Sequence, residues 1–315
     1  MNLGDLVVRK SYGGDVTFRV EQMLQNQAII KGTEFRLLAD APLDDLMQVP
    51  PLRMTERGQR AQIKARQSLS QIRKERQEIS ERSLAQLWKD IQPENDPLGG
   101  GTGGLWNQPS KDKAYFEVPG KVLHLDGDPA YLNKSLNLYG QLRIPAEGHH
   151  VRESEMADAL FRLLPRVRPN IVVITGHDGV LKRPQPYDLY SLSSYKNSQN
   201  FVAAVRTARE YERNFDALTI VAGACQSHFE ALLQAGANFS SSPGRILIHA
   251  LDPVYVAAKA ALTSIRETVN LSDILQHTIS GAQGVGGIET RGSYRIGMPG
   301  LQNLSTLKVT PSVIG

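Results

Sequence analysis

A single cysteine and a histidine that precedes it by 48 residues could perform covalent chemistry in this 315-residue chain. Cys225 follows the apolar run LTIVAGA, and His177 stands one glycine beyond the apolar run NIVVIT. A thiol has an ordinary pKa of ~8.5, so it needs a nearby base or a helix N-terminus to become a nucleophilic thiolate. A histidine can be that base, and the pair therefore predicts nucleophilic catalysis. The alternative is an inert packed thiol, because cysteine is among the most buried residue types.

Other histidines are weaker candidates for the same chemistry. His228, three residues after Cys225, is a rival base, but a side chain on the helix predicted there would point sideways rather than towards a substrate. His249 is expected to lie in the core. His149 and His150 stand in a predicted loop and lack a third ligand at useful spacing, so neither a metal site nor a cofactor is predicted.

The elements that must position these residues follow an α/β pattern from about residue 113. Apolar segments alternate with helical patterns, which predicts a largely parallel sheet with helices on both faces. The predicted strands are 121–126, 170–179, 218–224 and 245–252, and the predicted helices are 152–166, 197–213, 226–234 and 254–269. Active sites in such sheets lie at the carboxyl ends of the strands. These ends carry Asp126, Asp128, His177, Asp178, Cys225, His249 and Asp252. A helix directly after Cys225 would favour the thiolate through its dipole.

The first 112 residues do not follow this α/β pattern. Residues 1–50 predict a small SH3-like β-module, with short alternating segments at 16–20, 28–31 and 35–38. Residues 51–112 follow as a charged helical linker with the glycine-rich loop PLGGGTGG, and 113–315 form the α/β domain. Between residues 53 and 82, nine Lys and Arg oppose four Asp and Glu. One interpretation is a solvated helical linker. The alternatives are a docking arm for acidic partners or nucleic acid, and a segment exposed to proteolysis.

Composition excludes several classes of protein. The chain has no apolar stretch of about 18 residues, so no membrane span is expected. Its N-terminus, MNLGDLVVRKSYGG, lacks the layout of a signal peptide. One cysteine excludes an internal disulfide and a cysteine-based zinc site, which fits a reducing interior such as a bacterial cytosol.

Long segments of the chain resemble the YabG family of sporulation-specific cysteine peptidases from spore-forming Firmicutes, nearly from end to end. These segments are GDLVVRKSYGGDVTFRV, KVLHLDGDPAYL, ITGHDG, YKNSQNFVAAVR, AGACQS, SHFEALLQAGANFSSSP, IHALDPV and GVGGIETRGSYRIGMPG. The order of histidine and cysteine on an α/β sheet also resembles the clan of caspases, clostripain and gingipains. The resemblance implies a caspase-like fold for the α/β domain.

The resemblance also implies an activity and its residues. Cys225 would be the nucleophile and His177 the catalytic histidine, and the amides of Gly176 or Gly179 and of Cys225 would form the oxyanion hole. The enzyme would be an endopeptidase of the sporulating mother cell or the spore coat. It would process coat and cortex-associated proteins after basic residues, and it would cleave itself. We expect that self-cleavage in the basic arm between residues 53 and 82 or near the glycine-rich loop.

Cleavage after arginine requires a carboxylate in the specificity pocket, because a guanidinium buried without a partner is costly. Some arginine-specific members of the clan place an aspartate two residues before the cysteine, where this chain has Gly223. Asp126 and Asp128 are the first candidates for this acid, and Asp252 is the next. Each could instead cap a helix or a turn.

Two further functions compete with the peptidase. The N-terminal module and the basic arm could belong to a non-catalytic coat or RNA-binding protein, although the low aromatic content of 6% leaves no evident stacking platform, and nucleic acid is not expected as a partner. A hydrolase or transferase of another kind could use Cys225. The segment GAQGVGG at 281–287 weakly suggests a phosphate loop, but no lysine follows it as in a P-loop.

Overall fold

Four stretches of the chain are described by the computed structural model: residues 1–50, 55–91, 116–181 and 188–297. The glycine-rich loop at 97–104 lies outside them. None of the helices within these stretches combines the length and the apolar character that crossing a membrane needs.

An antiparallel sheet of five strands forms the N-terminal part. Its strands are β1 (Leu6–Arg9), β2 (Phe18–Met23), β3 (Gln27–Gly32), β4 (Leu38–Pro42) and β5 (Leu46–Gln48), in the order β4-β3-β2-β1-β5. The prediction of a strand at 35–38 is wrong. Phe35 instead forms an isolated antiparallel bridge with His249, and Arg36 donates its N–H to the Ile248 carbonyl at 3.2 Å. This segment therefore pairs with the α/β part of the chain and leaves the sheet from which it comes.

A long helix, α1 (Glu56–Ile91), confirms the helical prediction for the basic segment. One of its faces packs on the α/β part: Ile72 is 1% exposed, and the Tyr255 hydroxyl donates to the Ala65 carbonyl at 3.0 Å. Arg76 forms an ion pair with Glu117 on the short strand β6 (Phe116–Val118). Other basic residues of α1 are exposed, namely Arg60, Lys74 and Arg82. The helix is thus docked on one side and solvated on the other.

A six-stranded sheet carries the predicted site residues. Its strands are β7 (Val122–Asp126), β8 (Ala146–His150), β9 (Ile171–Thr175), β10 (Thr219–Ala222), β11 (Phe239–Ser241) and β12 (Val285–Gly287), in the order β12-β11-β10-β9-β7-β8. The pairs from β8 to β11 are parallel, and β12 is antiparallel to β11. The predicted, mostly parallel sheet is thereby confirmed. His149 and His150 lie on its edge strand β8 and not in a loop.

Helices cover both faces of this sheet. They are α2 (Pro129–Gln141), α3 (Met156–Val167), α4 (Ser198–Tyr211), α5 (Phe229–Gln234), α6 (Asp252–Leu262), α7 (Leu271–His277) and α8 (Gly281–Gly284), and the last strand, β13 (Arg295–Gly297), pairs with β6. Alternate side chains of the buried strands enter two different cores. Leu123 and Ile174 pack with α3 and α4, whereas Val122 and Val173 pack with α2 and α6. The central strands β9 and β10 are mostly apolar because both of their faces are covered.

The prediction of a strand at 245–252 is wrong. Residues 245–248 form no regular structure, and α6 begins at Asp252. The last of the five parallel strands along the chain is instead β11, three residues long. Ile248 is fully buried nevertheless, because the segment packs across the loop that carries Cys225. The apolar run thus reflects burial without strand pairing.

Candidate active site

Three candidate residues, Asp128, His177 and Cys225, form a row of equivalent positions just beyond the carboxyl ends of three adjacent strands. The strands pair in this register: Asp126 beside Thr175, and Ile174 beside Ala222. Asp128 and His177 each stand two residues beyond the first pair, and His177 and Cys225 each stand three residues beyond the second. The ends of β7, β9 and β10 therefore present an acid, an imidazole and a thiol at equivalent positions.

His177 is held by a carboxylate on one side of its ring. Its Nε2 lies 3.0 Å from Asp128 Oδ2, and its ring centroid lies 5.7 Å from that of Tyr131. Its Nδ1 is buried and has no hydrogen-bond partner among the described residues. The backbone N–H of His177 donates to Glu153 Oε1 at 2.8 Å. With a proton on Nε2 for Asp128, Nδ1 carries a lone pair that can accept a proton.

Asp128 uses its two oxygens differently. Oδ1 accepts the N–H groups of Ala130 and Tyr131 and so caps α2, which confirms the capping alternative, and Oδ2 contacts both His177 and Lys31 Nζ, the latter at 3.2 Å. Burial opposes ionisation of this carboxyl, but the His177 and Tyr131 hydrogen bonds and the Lys31 charge outweigh it and lower its pKa. The carboxylate therefore stays ionised beside the histidine.

Asp126 holds a buried arginine. Its Oδ2 lies 2.8 Å from Arg36 Nη1 and 3.0 Å from the Thr175 hydroxyl, and both charged side chains are fully buried. Burial alone would raise the pKa of Asp126. The Arg36 charge and the hydrogen bond to His124 outweigh that effect and lower the pKa to about 2. The Asp126 carboxylate is thus a guanidinium site next to the row of candidate catalytic residues.

The carboxylate of Asp252, the other candidate for the specificity acid, already accepts hydrogen bonds from backbone N–H groups. It is fully buried at the start of α6, and it accepts N–H groups from Ile279 at 2.6 Å and from His249 and Ser280 at 3.2 Å. These bonds tie the segment after α7 to the start of α6. Of the three candidate acids, the contacts favour Asp126 as the one that receives a guanidinium.

Cys225 is completely buried in this state of the chain. Its Sγ accepts the N–H of Ile248 at 3.2 Å. Burial raises the pKa of the thiol to about 12, against the opposing effects of the Ile248 bond and the Arg36 charge. The prediction that a helix starts at Gln226 is wrong, because Gln226 has a φ of 54° and α5 begins only at Phe229. The thiol is therefore covered and protonated, with no helix directly after it.

Asp178 joins the loops that carry His177 and Cys225. Its Oδ2 accepts the hydroxyls of Ser198 and Ser227, the latter at 2.9 Å, and its Oδ1 accepts the N–H of Asn197 at 2.7 Å. Burial raises the pKa of this carboxyl despite these bonds. Sequence reasoning placed Asp178 at a strand end but gave it no role. Its position after the histidine, in GHDG, was the available signal.

The two glycines predicted to line the oxyanion hole differ. Gly179 donates its N–H to Asp178 Oδ1 at 2.9 Å, so this amide already has an acceptor. A Cβ on Gly176 would lie 2.5 Å from Glu153 Oε1, so a side chain there would displace the carboxylate that accepts the His177 N–H. Glu153 was missed by sequence reasoning, since nothing local marks a helix-start glutamate as a neighbour of His177.

Gly223 has no room for the acid that an arginine-specific relative places two residues before its cysteine. Its φ is +110°, a conformation that residues with a side chain rarely adopt. A Cβ there would lie 3.0 Å from the Leu232 side chain and 3.1 Å from the Ser241 Cβ. The structure therefore disfavours an acid at this position, and an arginine-specific site would need its carboxylate from another element.

The other histidines have structural partners. His228 caps α5 through Nδ1 and lies 3.0 Å from the Tyr190 carbonyl through Nε2, so it is directed away from the row. His249 is buried with its ring edge against Phe35, as the core prediction expected. His149 pairs with Glu147. No group of three or more His, Cys, Asp and Glu in the described stretches is arranged to hold a metal ion.

Comparison with solved structures gives only weak likenesses. The RcsB response regulator of Salmonella typhimurium aligns with a TM-score of 0.25 and 15% identity, over 38% of this chain and 50% of that chain. The isolated REC domain of RcsB from Salmonella enterica serovar Typhimurium aligns with a TM-score of 0.23 and 16% identity, over 38% of this chain and 74% of that one. Scores this low carry no conclusion about function.

Sequence comparison is decisive. Residues 2–299 match the family model described as YabG peptidase U57. The chain is also 41% identical over 302 residues to the sporulation-specific protease YabG of Bacillus subtilis (strain 168), and the match covers 94% of this chain and 97% of that protein. The resemblance seen in the sequence motifs is thereby confirmed. The chain belongs to the YabG peptidase family and is a peptidase.

Proposed function

We propose that the chain is a cysteine endopeptidase of sporulation that cleaves after arginine, with Cys225 as nucleophile, His177 as acid and base, and Asp128 as the residue that positions His177. The observation that carries this proposal is the row of Asp128, His177 and Cys225 at equivalent positions of three adjacent strands, with His177 bonded to Asp128. The thiol, the imidazole and the orienting acid are the parts that nucleophilic acyl transfer needs.

The reaction divides into two steps. Sγ of Cys225 attacks the scissile carbonyl carbon, its proton passes to Nδ1 of His177, and the carbonyl electron pair moves onto oxygen. The C–N bond then breaks, and His177 returns that proton to the leaving amine, which leaves a thioester on Cys225. Water, deprotonated by His177, attacks the thioester, and the C–S bond breaks as the thiol regains its proton. The amides of Gly176 and Cys225 are the proposed donors to the oxyanion.

Specificity for arginine would come from Asp126. The site is buried, already ionised and of the right size for a guanidinium, because Arg36 of the same chain occupies it. A buried guanidinium needs a carboxylate partner, and this requirement excludes neutral side chains from such a pocket. Lysine would fit less well, since a single ammonium cannot match a fork of N–H donors.

The finer fold assignments support the same proposal. We infer a caspase-like α/β unit, because the histidine follows β9 and the cysteine follows β10 in that order on a mostly parallel sheet. We infer an SH3-like N-terminal module from its five antiparallel strands. The proposed substrates are spore-coat and cortex-associated proteins, met in the mother cell or in the coat. Family membership does not favour the alternative of a non-catalytic coat or RNA-binding protein.

Substitution of the two catalytic residues tests the proposal. Cys225→Ala and His177→Ala should each abolish cleavage of a casein-like or coat-protein substrate while the far-ultraviolet circular dichroism stays that of the wild type. His150→Ala, at an exposed edge position, is the matched control and should cleave normally. Activity that survives Cys225→Ala would end the proposal.

Self-cleavage is proposed within the same activity. The solvated face of α1 offers exposed arginines, including Arg60 and Arg82. A helix must unfold locally before it can enter a cleft as an extended strand, so cutting there depends on fraying of α1. N-terminal sequencing of aged enzyme beside Cys225→Ala enzyme would locate the cuts.

A further inference from the structure

The segment that joins β3 to β4 makes its contacts outside the sheet to which those strands belong. This segment leaves the N-terminal sheet, and it carries Arg36, whose side chain is 0% exposed. A buried arginine in a small antiparallel sheet has no role in the folding of that sheet, because its partners all belong to the α/β part of the chain. Those partners are Asp126, the Ala250 carbonyl and the Tyr131 ring.

We propose that residues 34–37 lie in the substrate-binding cleft as a built-in pseudosubstrate, with Arg36 in the specificity pocket of Asp126. The inference rests on the proposed function, since it assigns the cleft of that same site. It goes further because it identifies the segment that fills the cleft. A filled cleft would hold the peptidase activity of the intact chain at a low level.

The backbone of the segment binds as an extended peptide does. Arg36 N–H donates to the Ile248 carbonyl at 3.2 Å, and Ala250 N–H donates to the Glu34 carbonyl at 2.8 Å. Phe35 and His249 form the antiparallel bridge between these two bonds. Adding an extended peptide to an unpaired edge is a recurring mode of peptide recognition.

The acceptor segment is also the one that touches the nucleophile. Ile248 accepts from Arg36 through its carbonyl and donates its N–H to Cys225 Sγ at 3.2 Å. A peptide that pairs with residues 248–250 therefore binds next to the residue that contacts the thiol. This arrangement explains why a buried, apolar run at 245–252 forms no strand with its own sheet.

The Arg36 side chain satisfies the demands of an arginine pocket. Nη1 lies 2.8 Å from Asp126 Oδ2, Nε lies 3.1 Å from the Ala250 carbonyl, and the guanidinium carbon lies 5.1 Å from the centre of the Tyr131 ring. Nη2 is buried and has no partner among the described residues. An unpartnered buried donor costs free energy, so Arg36 is held less tightly than a fully paired guanidinium and the segment can be displaced.

Helix α2 holds the segment from the other side. The Tyr131 hydroxyl lies 2.6 Å from the Gly32 carbonyl and 2.7 Å from the Phe35 carbonyl, and Lys134 Nζ donates to the Thr33 carbonyl at 2.5 Å. Lys31, at the end of β3, contacts Asp128. The segment thus bridges Tyr131, whose ring lies beside His177, and Ile248, whose N–H binds the thiol, and that thiol is 0% exposed.

The test measures how freely the full-length protein reaches an arginine substrate. The readouts are kcat/KM on a fluorogenic peptide with arginine before the scissile bond and the rate at which an arginyl chloromethyl ketone labels Cys225. Arg36→Gln should raise both by about tenfold or more, because activity scales with the fraction of molecules whose cleft is open. Arg36→Lys should raise them less, since an ammonium still pairs with Asp126.

Arg9→Gln is the matched control. It breaks an ion pair with Asp45 inside the same sheet, away from the cleft, and should leave both rates at the wild-type value. Where Arg36→Gln fails to fold, Arg36→Lys decides, because it keeps a cation opposite Asp126. Rates of the folded Arg36 variants that stay within twofold of wild type and of Arg9→Gln overturn the inference while leaving the peptidase intact. Absence of Cys225-dependent cleavage in every variant would instead remove the proposed function, and the inference with it.

A peptide gives an independent readout. The hexapeptide TEFRLL, which copies residues 33–38, should compete with the fluorogenic substrate on the Arg36→Gln enzyme. The peptide TEFALL, which lacks the guanidinium, should compete much less. Equal competition by the two peptides would show that Arg36 does not occupy the pocket.

Discussion

At the scale of single residues, Asp128 separates two duties by oxygen atom. Oδ1 caps α2, and Oδ2 faces His177. Asparagine caps a helix about as well as aspartate does, so a change to asparagine can remove the charge beside the histidine and keep the cap. The proposed role of Asp128 in positioning His177 can therefore be measured apart from its capping of α2.

Asp128→Asn should lower kcat by roughly 10²- to 10⁴-fold, because the histidine loses the acceptor that fixes its tautomer and orientation. KM should change little, since the substrate contacts remain, and the cap of α2 is kept. Steady-state kinetics of the Arg36→Gln background, in which the cleft is open, make the measurement. A kcat within threefold of that background would show that Asp128 does not position His177.

At the scale of elements, buried apolar residues on one face of α1 dock this helix on the α/β part of the chain. Ile72 is 1% exposed within the core that α6 shares, whereas Ile63 on the same helix is 58% exposed. The two positions have the same residue type and helical context and differ in burial. They form a natural pair for measuring how firmly the helix is docked.

Ile72→Ala should lower the free energy of unfolding by about 2–5 kcal/mol, as is usual for removing a buried aliphatic side chain. Ile63→Ala should change it by less than about 0.5 kcal/mol. Urea unfolding followed by circular dichroism compares them. Equal effects at the two positions would mean that α1 does not pack on the α/β part in solution.

Sequence patterns predicted the elements that are apolar on both faces, such as β7, β9 and β10, together with the polar residues that end them. They missed β11, because its residues FSS are too few and too polar to stand out. They took 245–252 for a strand, because hydrophobicity reports burial and cannot show which backbone groups are paired. The predicted helix start after Cys225 failed for a local reason, the positive φ of Gln226.

The candidate site was predictable to a similar degree. Cys225, His177 and Asp128 could be found because carboxyl ends of parallel strands collect functional side chains. The exact pairing of Asp128 with His177 depends on strand register, which spacing along the chain does not reveal. Arg36 carries no signal at all, since its partner Asp126 lies 90 residues away in the sequence and on another unit of the fold.

At the scale of the whole molecule, burial of the one thiol gives the intact chain a distinct pH response. The folded chain holds the Cys225 proton more tightly than the unfolded chain, with a pKa of about 12 against an ordinary value of ~8.5. The stability that this burial contributes is present below pH ~8.5 and declines as the pH rises towards the folded value.

Iodoacetamide labelling should report this difference. Between pH 7 and 10, labelling of the native wild-type chain should stay slow and rise about tenfold per pH unit, because only the thiolate reacts. The same chain in guanidinium chloride should level off near pH ~9. Since the chain has one cysteine, mass spectrometry counts the label without ambiguity. A native curve that levels off below pH 9 would contradict a covered, protonated thiol.

The contact between residues 34–36 and 248–250 joins two parts of one polypeptide, and this has a kinetic consequence. A tethered occupant acts at an effective concentration of the order of millimolar, whatever the concentration of the protein. Dilution would then leave latency unchanged, and a free substrate present at micromolar levels would compete poorly. Cutting the tether once would convert the occupant into an ordinary ligand that diffuses away, so activation of each molecule would be a single, irreversible event.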